Sequence, residues 1–230
     1  MKKNVAVVFI LVLVLTGCTK NIYLMPEYDN MKIKNKTLFI VQPEIAIENP
    51  KDVTDDLGEG NPKKVYKDFF NTNFKLQMKE LSTFNKVEFS QANNHEKLYE
   101  RKLSLSENNN IYINLPHNGE IVEFDSIHAD FVLLFEDYQT YRKGAHDSNQ
   151  TAITGITWKT NVGAQPALKT SFKYVIWDNN NGRIVAYGNI DSSSKFAFKM
   201  STKTWYNSIR NILVDILIDT PFENFPEGMR

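Results

Sequence analysis

One cysteine, Cys18, occurs in 230 residues. An internal disulfide is therefore excluded, and so is any zinc site built on paired thiols. The four histidines, His95, His117, His128 and His146, stand at no ligand spacing to one another. Charge of one sign is missing too: 27 basic residues balance 27 acidic ones. Without a basic stripe to neutralise phosphates, nucleic acid is not an expected partner. Long apolar runs are also absent. The longest is Val5 to Leu15, eleven residues, where a membrane-spanning helix needs about 20.

That run is nevertheless informative by position. It follows the short positive segment Met1-Lys2-Lys3-Asn4, and its length suits the core of a secretory signal peptide. It ends in Leu15-Thr16-Gly17-Cys18, which resembles the lipobox of bacterial lipoproteins at all four positions. The resemblance implies cleavage before Cys18 and lipid on its sulfur. Stable anchoring takes more than one acyl chain, because each buried CH₂ contributes only about 0.8 kcal/mol. Lipidation also accounts for a lone thiol in an exported chain. Thr19 follows the cysteine where Asp would mark inner-membrane retention in two-membrane bacteria, so the expected location is the outer membrane, facing the periplasm. In a cell with one membrane it would be the cell membrane. Removing residues 1–17 takes Lys2 and Lys3 and no acid, leaving 25 basic and 27 acidic residues.

The expected organisation is a signal peptide (1–17), a lipidated cysteine with its tether (18–35) and one α/β domain (36–230). Residues 19–35 show no periodicity and read as a linker, which fully extended would reach roughly 55–60 Å. Thr37 to Val41 reads as a strand, and 43–61, rich in Pro, Gly and Asp, as loop. Asn61-Pro62 is a helix-start signal. After it, Tyr66, Phe69, Phe70, Phe74, Met78 and Leu81 mark an amphipathic helix over 62–82. Residues 86–89 form a short strand, whereas 91–110 are polar, with a helical turn as the one element they suggest. Ile111, Ile113 and Leu115 alternate as a half-buried strand. The continuous run Phe131 to Phe135 reads as a central strand covered on both sides and continuing to solvent through Tyr141. Strands near 171–177 and 184–188, joined by the Asn-rich turn 178–182, make a hairpin. A second amphipathic helix covers 201–219, with Ser201 or Thr202 as cap. The fold class is therefore α/β (α+β): a mixed β-sheet with two amphipathic helices packed on it, in the order β-α-β, further strands, and a C-terminal helix.

Chemical candidates are few. Ser126, His128 and Asp130 would share one face of a strand, with neighbours about 6.6–7 Å apart. No strand-turn-helix elbow presents the serine, so a periplasmic hydrolase is only the alternative reading. Gly58-Glu59-Gly60-Asn61-Pro62-Lys63-Lys64 lies ahead of a helix as phosphate loops do. The preceding strand ends too early, however, and Pro62 removes an amide donor. Asp52, Asp55, Asp56 and Glu59 lack the calcium-loop offsets. No catalytic residue, metal site or cofactor is expected.

The lipobox precedes Ala129-Asp130-Phe131-Val132-Leu133-Leu134, the hairpin Tyr174-Val175-Ile176-Trp177-Asp178…Gly182-Arg183-Ile184-Val185-Ala186-Tyr187-Gly188, and a terminal amphipathic helix. This order of elements, over about residues 36–220, resembles envelope lipoproteins similar to the amino-terminal domain of the TolB translocation protein. Penicillin-binding-protein activators and the curli-secretion lipoprotein belong to that group. The resemblance implies a partner-binding or assembly role toward another envelope protein or cell-wall component, with no catalytic residues to carry over. Secretion members insert membrane hairpins near residues 144–167, which here are too short and polar for paired transmembrane strands of about 9–11 residues each. A secretion-pore component is thus a second alternative. The expected docking surface combines the end of the sheet at 136–142 with the segment 144–167. Tyr138, Tyr141, Arg142 and Trp158 are its residues, being of types that concentrate at interface centres. Oligomeric state is open.

Overall fold

Phe131 to Phe135 begins a long central strand of a seven-stranded mixed sheet, and it is covered on both faces as its unbroken apolar run requires. The computed structural model describes residues 22–90, 98–122, 129–144 and 165–229. The strands are β1 (Ile22–Leu24), β2 (Thr37–Val41), β3 (Ala46–Ile47), β4 (Lys86–Ser90), β7 (Phe131–Lys143), β8 (Ala167–Asp178) and β9 (Arg183–Lys195), with β5 (Tyr99–Ser106) and β6 (Asn109–Leu115) apart. Sheet order is β1-β9-β8-β7-β2-β4, with β3 on the β2 side of β7. The strands β7, β2 and β4 run parallel; β7, β8 and β9 form an antiparallel meander.

Helices α2 (Pro62–Leu81) and α3 (Thr202–Leu217) pack on one face, as the apolar spacing predicts. Asn61 caps α2 by accepting the Lys64 N–H at 3.2 Å. Tyr66, Phe70, Phe74 and Met78 on α2, with Trp205, Ile209, Ile212 and Ile216 on α3, meet Leu133, Phe172, Tyr174 and Ile176 of the sheet. The opposite face has its own cover. Hairpin β5–β6 lays Leu105, Ile111, Ile113 and Leu115 on Phe39, Val132, Leu134, Val175 and Trp177. The alternation at 111–115 is therefore real, but its strand lies outside the main sheet.

Three sequence expectations change. Within 43–61, the segment read as loop, α1 (Pro50–Leu57) and the short β3 form. Asn49-Pro50 repeats the start signal of Asn61-Pro62, but the turn buries only Val53 and so carries no visible apolar stripe. Within 91–110 the chain forms β5. Finally, the segment read as tether is largely part of the domain. Ile22–Leu24 pairs with Ala186 to Gly188, and a 3-10 turn (Pro26–Tyr28) places Tyr28 in the core at 2% exposure. Three paired residues are too few to show a period, and Tyr28 is held by a polar bond that sequence patterning does not reveal.

Candidate docking surface

The site begins with an irregularity in β7. Glu136 pairs with Lys173 and Gln139 with Ser171, so Asp137 and Tyr138 together oppose one residue of β8. This is a β-bulge, and Asp137 takes φ +53°, a left-handed conformation that Asp tolerates better than most residues. One extra residue exchanges the two faces of the strand. Tyr138 consequently turns into the helix-side core and is 1% exposed. Its ring stacks on Phe172 with centroids 5.4 Å apart, and its hydroxyl lies 3.0 Å from that of Tyr66. Burial pushes the Tyr66 phenol up to about 12, against a small downward pull from the Tyr138 bond. Burial likewise holds Tyr138 well above the usual phenol range, helped by the neighbouring Tyr66. The expectation that Tyr138 belongs to the docking surface is corrected: it is a core residue.

Tyr141 and Arg142 do reach the surface. Together with Glu48, Lys143, Lys169 and Asp191 they line a shallow cleft of about 370 Å³. Arg142 is held from two sides. Its guanidinium lies 5.2 Å from the Phe196 ring centroid, and Nη1 is 3.8 Å from Asp52 Oδ1. Lys169 reaches Asp191 at 3.4 Å, and Gln139 donates to Ser171 at 2.8 Å. Beyond the hairpin's cover, this end of the sheet presents polar and charged groups to solvent. Trp158, the fourth expected docking residue, lies outside the described residues, as does Cys18.

Ser126 and His128 also lie outside them. Asp130 is engaged structurally: it accepts Thr37 N–H at 2.9 Å, Lys36 Nζ at 3.1 Å and Asn180 Nδ2 at 3.0 Å. Burial pushes its carboxyl up, but these donors outweigh it and hold the group below the usual carboxylate range. They tie β2 and the β8–β9 turn to the start of β7. Next to it, Asp178 accepts from Tyr28 Oη at 2.6 Å and from the N–H groups of Asn180 and Asn181. Arg183 Nε donates to Tyr28 Oη at 2.9 Å. Among the described residues, no three His, Cys, Asp or Glu side chains are grouped to hold a metal ion.

Two surface features escaped the sequence reading. A cleft of about 590 Å³ lies between Pro26–Lys32 and Asp219–Glu223, and Asp29, Lys32, Asp219 and Glu223 are its charged lining. The other is Phe198, 97% exposed in the loop between β9 and α3. Its signal was present in Lys195-Phe196-Ala197-Phe198-Lys199, two aromatics bracketed by lysines.

The fold and this surface define a mixed α+β domain with helices on one face, a hairpin on the other and one polar end of the sheet that is open among the described residues. No protein-family model matches the chain, and no curated protein matches it. Solved structures with similarity include the PelC dodecamer from Paraburkholderia phytofirmans, at 8% identity over 88% of this chain and 98% of that one, TM-score 0.38. A putative neuraminyllactose-binding hemagglutinin homolog from Helicobacter pylori aligns at 10% identity over 84% of this chain and 87% of its own, TM-score 0.38. A Xanthomonas campestris protein of the DUF330 family aligns at 9% identity over 82% and 90%, TM-score 0.41. All three are bacterial proteins.

Proposed function

We propose that this chain is a non-catalytic lipoprotein of the bacterial envelope, held in a membrane by lipid on Cys18. Its open sheet end binds, or helps to assemble, another envelope protein or a cell-wall component. The observation that supports this reading is the lipobox-like Leu15-Thr16-Gly17-Cys18 directly ahead of a folded domain. Only four residue steps separate Cys18 from Ile22, the first residue of β1, a reach of at most about 14 Å. The domain is thus kept close to the bilayer, where an anchor raises the effective concentration of membrane-confined partners. Thr19 favours the outer membrane in a two-membrane cell.

Labelled palmitate should enter the wild-type chain and be absent from Cys18→Ala, which should accumulate uncleaved. A mature chain that begins elsewhere, without lipid, would sink the anchor. Photo-crosslinkers at Tyr141 and Lys63 then test the surface in cells. A discrete adduct is expected from Tyr141 alone; equal adducts from both positions, or none, would remove the case for the sheet end.

A further inference from the structure

We infer that the sheet end bearing Phe198 rests on an anionic phospholipid surface, with Phe198 among the headgroups and Lys143, Lys195 and Lys199 above them. The direction of approach rests on the anchor proposed at Cys18; the chemistry of the surface does not.

A single exposed apolar side chain is ordinary, but Phe198 is not simply exposed. Its neighbours Phe196 and Met200 are buried, at 6% and 3%. The Phe196 N–H donates to Pro166 O at 3.1 Å, and the Phe196 ring lies under Arg142. The loop is therefore pinned on both sides, and its tip holds a wholly exposed phenyl ring outward. A ring presented this way gains when it enters a lipid interface and loses little conformational freedom.

The charge around it suits an anionic surface. From Ser192 to Val214 the chain carries Lys195, Lys199, Lys203 and Arg210 and no acid. Lys143 and Lys195 flank Ala167 in one row across β7, β8 and β9. Nearby acids are mostly engaged: Asp52 with Arg142, Asp56 with Trp205 Nε1, and Asp191 with Lys169. Asp55 and Glu59, exposed on and just after α1, temper the patch.

Strand direction supplies an independent argument. β1 runs antiparallel to β9, with Ile22 opposite Gly188 and Leu24 opposite Ala186. Traced back from Ile22, β1 therefore enters the sheet from the Ile190–Lys195 end. The strand thus runs inward from the side of the sheet on which Lys195 and Phe198 lie.

The test uses the full lipidated chain in vesicles of phosphatidylglycerol and phosphatidylcholine that contain nitroxide lipid. Acylation consumes the only native thiol, so a fluorophore can be placed at Phe198→Cys. The control is Ile121→Cys, which is 52% exposed and lies beside Asn179 at the opposite end. Strong quenching is expected at 198 and little at 121. The quenching at 198 should fall by about two-fold or more in pure phosphatidylcholine, and likewise when Lys195 and Lys199 are both changed to Ala. Equal quenching at both positions overturns the inference, as does an unquenched 198 on a membrane-retained protein. So does a 198 probe that reports protein contact but is not reached by the lipid quencher. The mass of Cys18 is read on the same sample. If acyl groups are missing, the anchor fails, and the quenching comparison, repeated on Cys18→Ser, judges the surface alone.

Discussion

The long strands β8 and β9 end in two contrasting ways. At the turn joining them, polar side chains close on one another and on the backbone. Asp178 gathers Tyr28 and the turn amides, and Asp130 gathers Lys36, Thr37 and Asn180. Asn179, fully buried, accepts from Val122 N–H at 2.7 Å and donates to the carbonyls of Val122 and Ala129. Gly182 completes this end at φ +60°, where an added Cβ would stand 2.4 Å from Gly119 backbone. At the other end, past the bulge at Asp137, Lys143, Lys169, Asp191 and Lys195 flank strands that, among the described residues, no helix or hairpin covers on their outer face. One end holds the fold together through polar groups already satisfied. The other carries only exposed or half-exposed pairs, Lys169 with Asp191 and Arg142 with Asp52, which is why the docking surface is proposed there.

Breaking the closed end should give the largest effect. Asn179→Ala removes three hydrogen bonds and strands two buried backbone carbonyls and one N–H. Each unsatisfied buried group costs about 1–3 kcal/mol, so a loss of roughly 3–5 kcal/mol is expected in urea unfolding. A loss below 1 kcal/mol would show that this end is not the rigid one.

Asp130 gives a smaller, pH-dependent effect. Its folded-state pKa lies below the usual carboxylate value. The stability it contributes is therefore complete above the unfolded pKa of about 4 and disappears as pH falls through the lower folded value. Asp130→Asn should cost about 1 kcal/mol at neutral pH, since the site is partly exposed. It should also flatten the acid limb of the stability curve below about pH 4. An unchanged acid limb would mean that the three donors do not favour the ionised form.

What the sequence revealed follows the same contrast. The Phe131–Phe135 run, the Asp178–Gly182 turn and the α2 stripe are repeated local patterns, and each was legible. The mixed sheet with helices packed on it was legible for that reason. The bulge was not, because one residue in a left-handed conformation leaves no periodic trace, and a single step reverses every side chain after it. Tyr138 was misplaced by that step alone; Tyr141 and Arg142 remain at the surface. The opposite cover was missed because β5, Tyr99–Ser106, buries only Leu105. The position of β1 could not be read, since Tyr28 is bound to Asp178 150 residues away.

The smallest expected effect on stability sharpens the comparison most. Lys143 and Lys195 are exposed in one row of the open end, two strand spacings apart, or roughly 9.6 Å. That separation is about one Debye length at physiological salt, so their mutual repulsion is weak but not zero. Changing both to Gln should alter stability by no more than about 0.5 kcal/mol. Any shift should be toward greater stability, and should fade as salt rises. The same pair should nonetheless weaken whatever the open end contacts, read as adduct yield from a crosslinker at Tyr141 in cells. Large destabilisation with unchanged crosslinking would reverse the assignment of the two ends. Unchanged stability with reduced crosslinking is the outcome expected of a surface whose charges face outward.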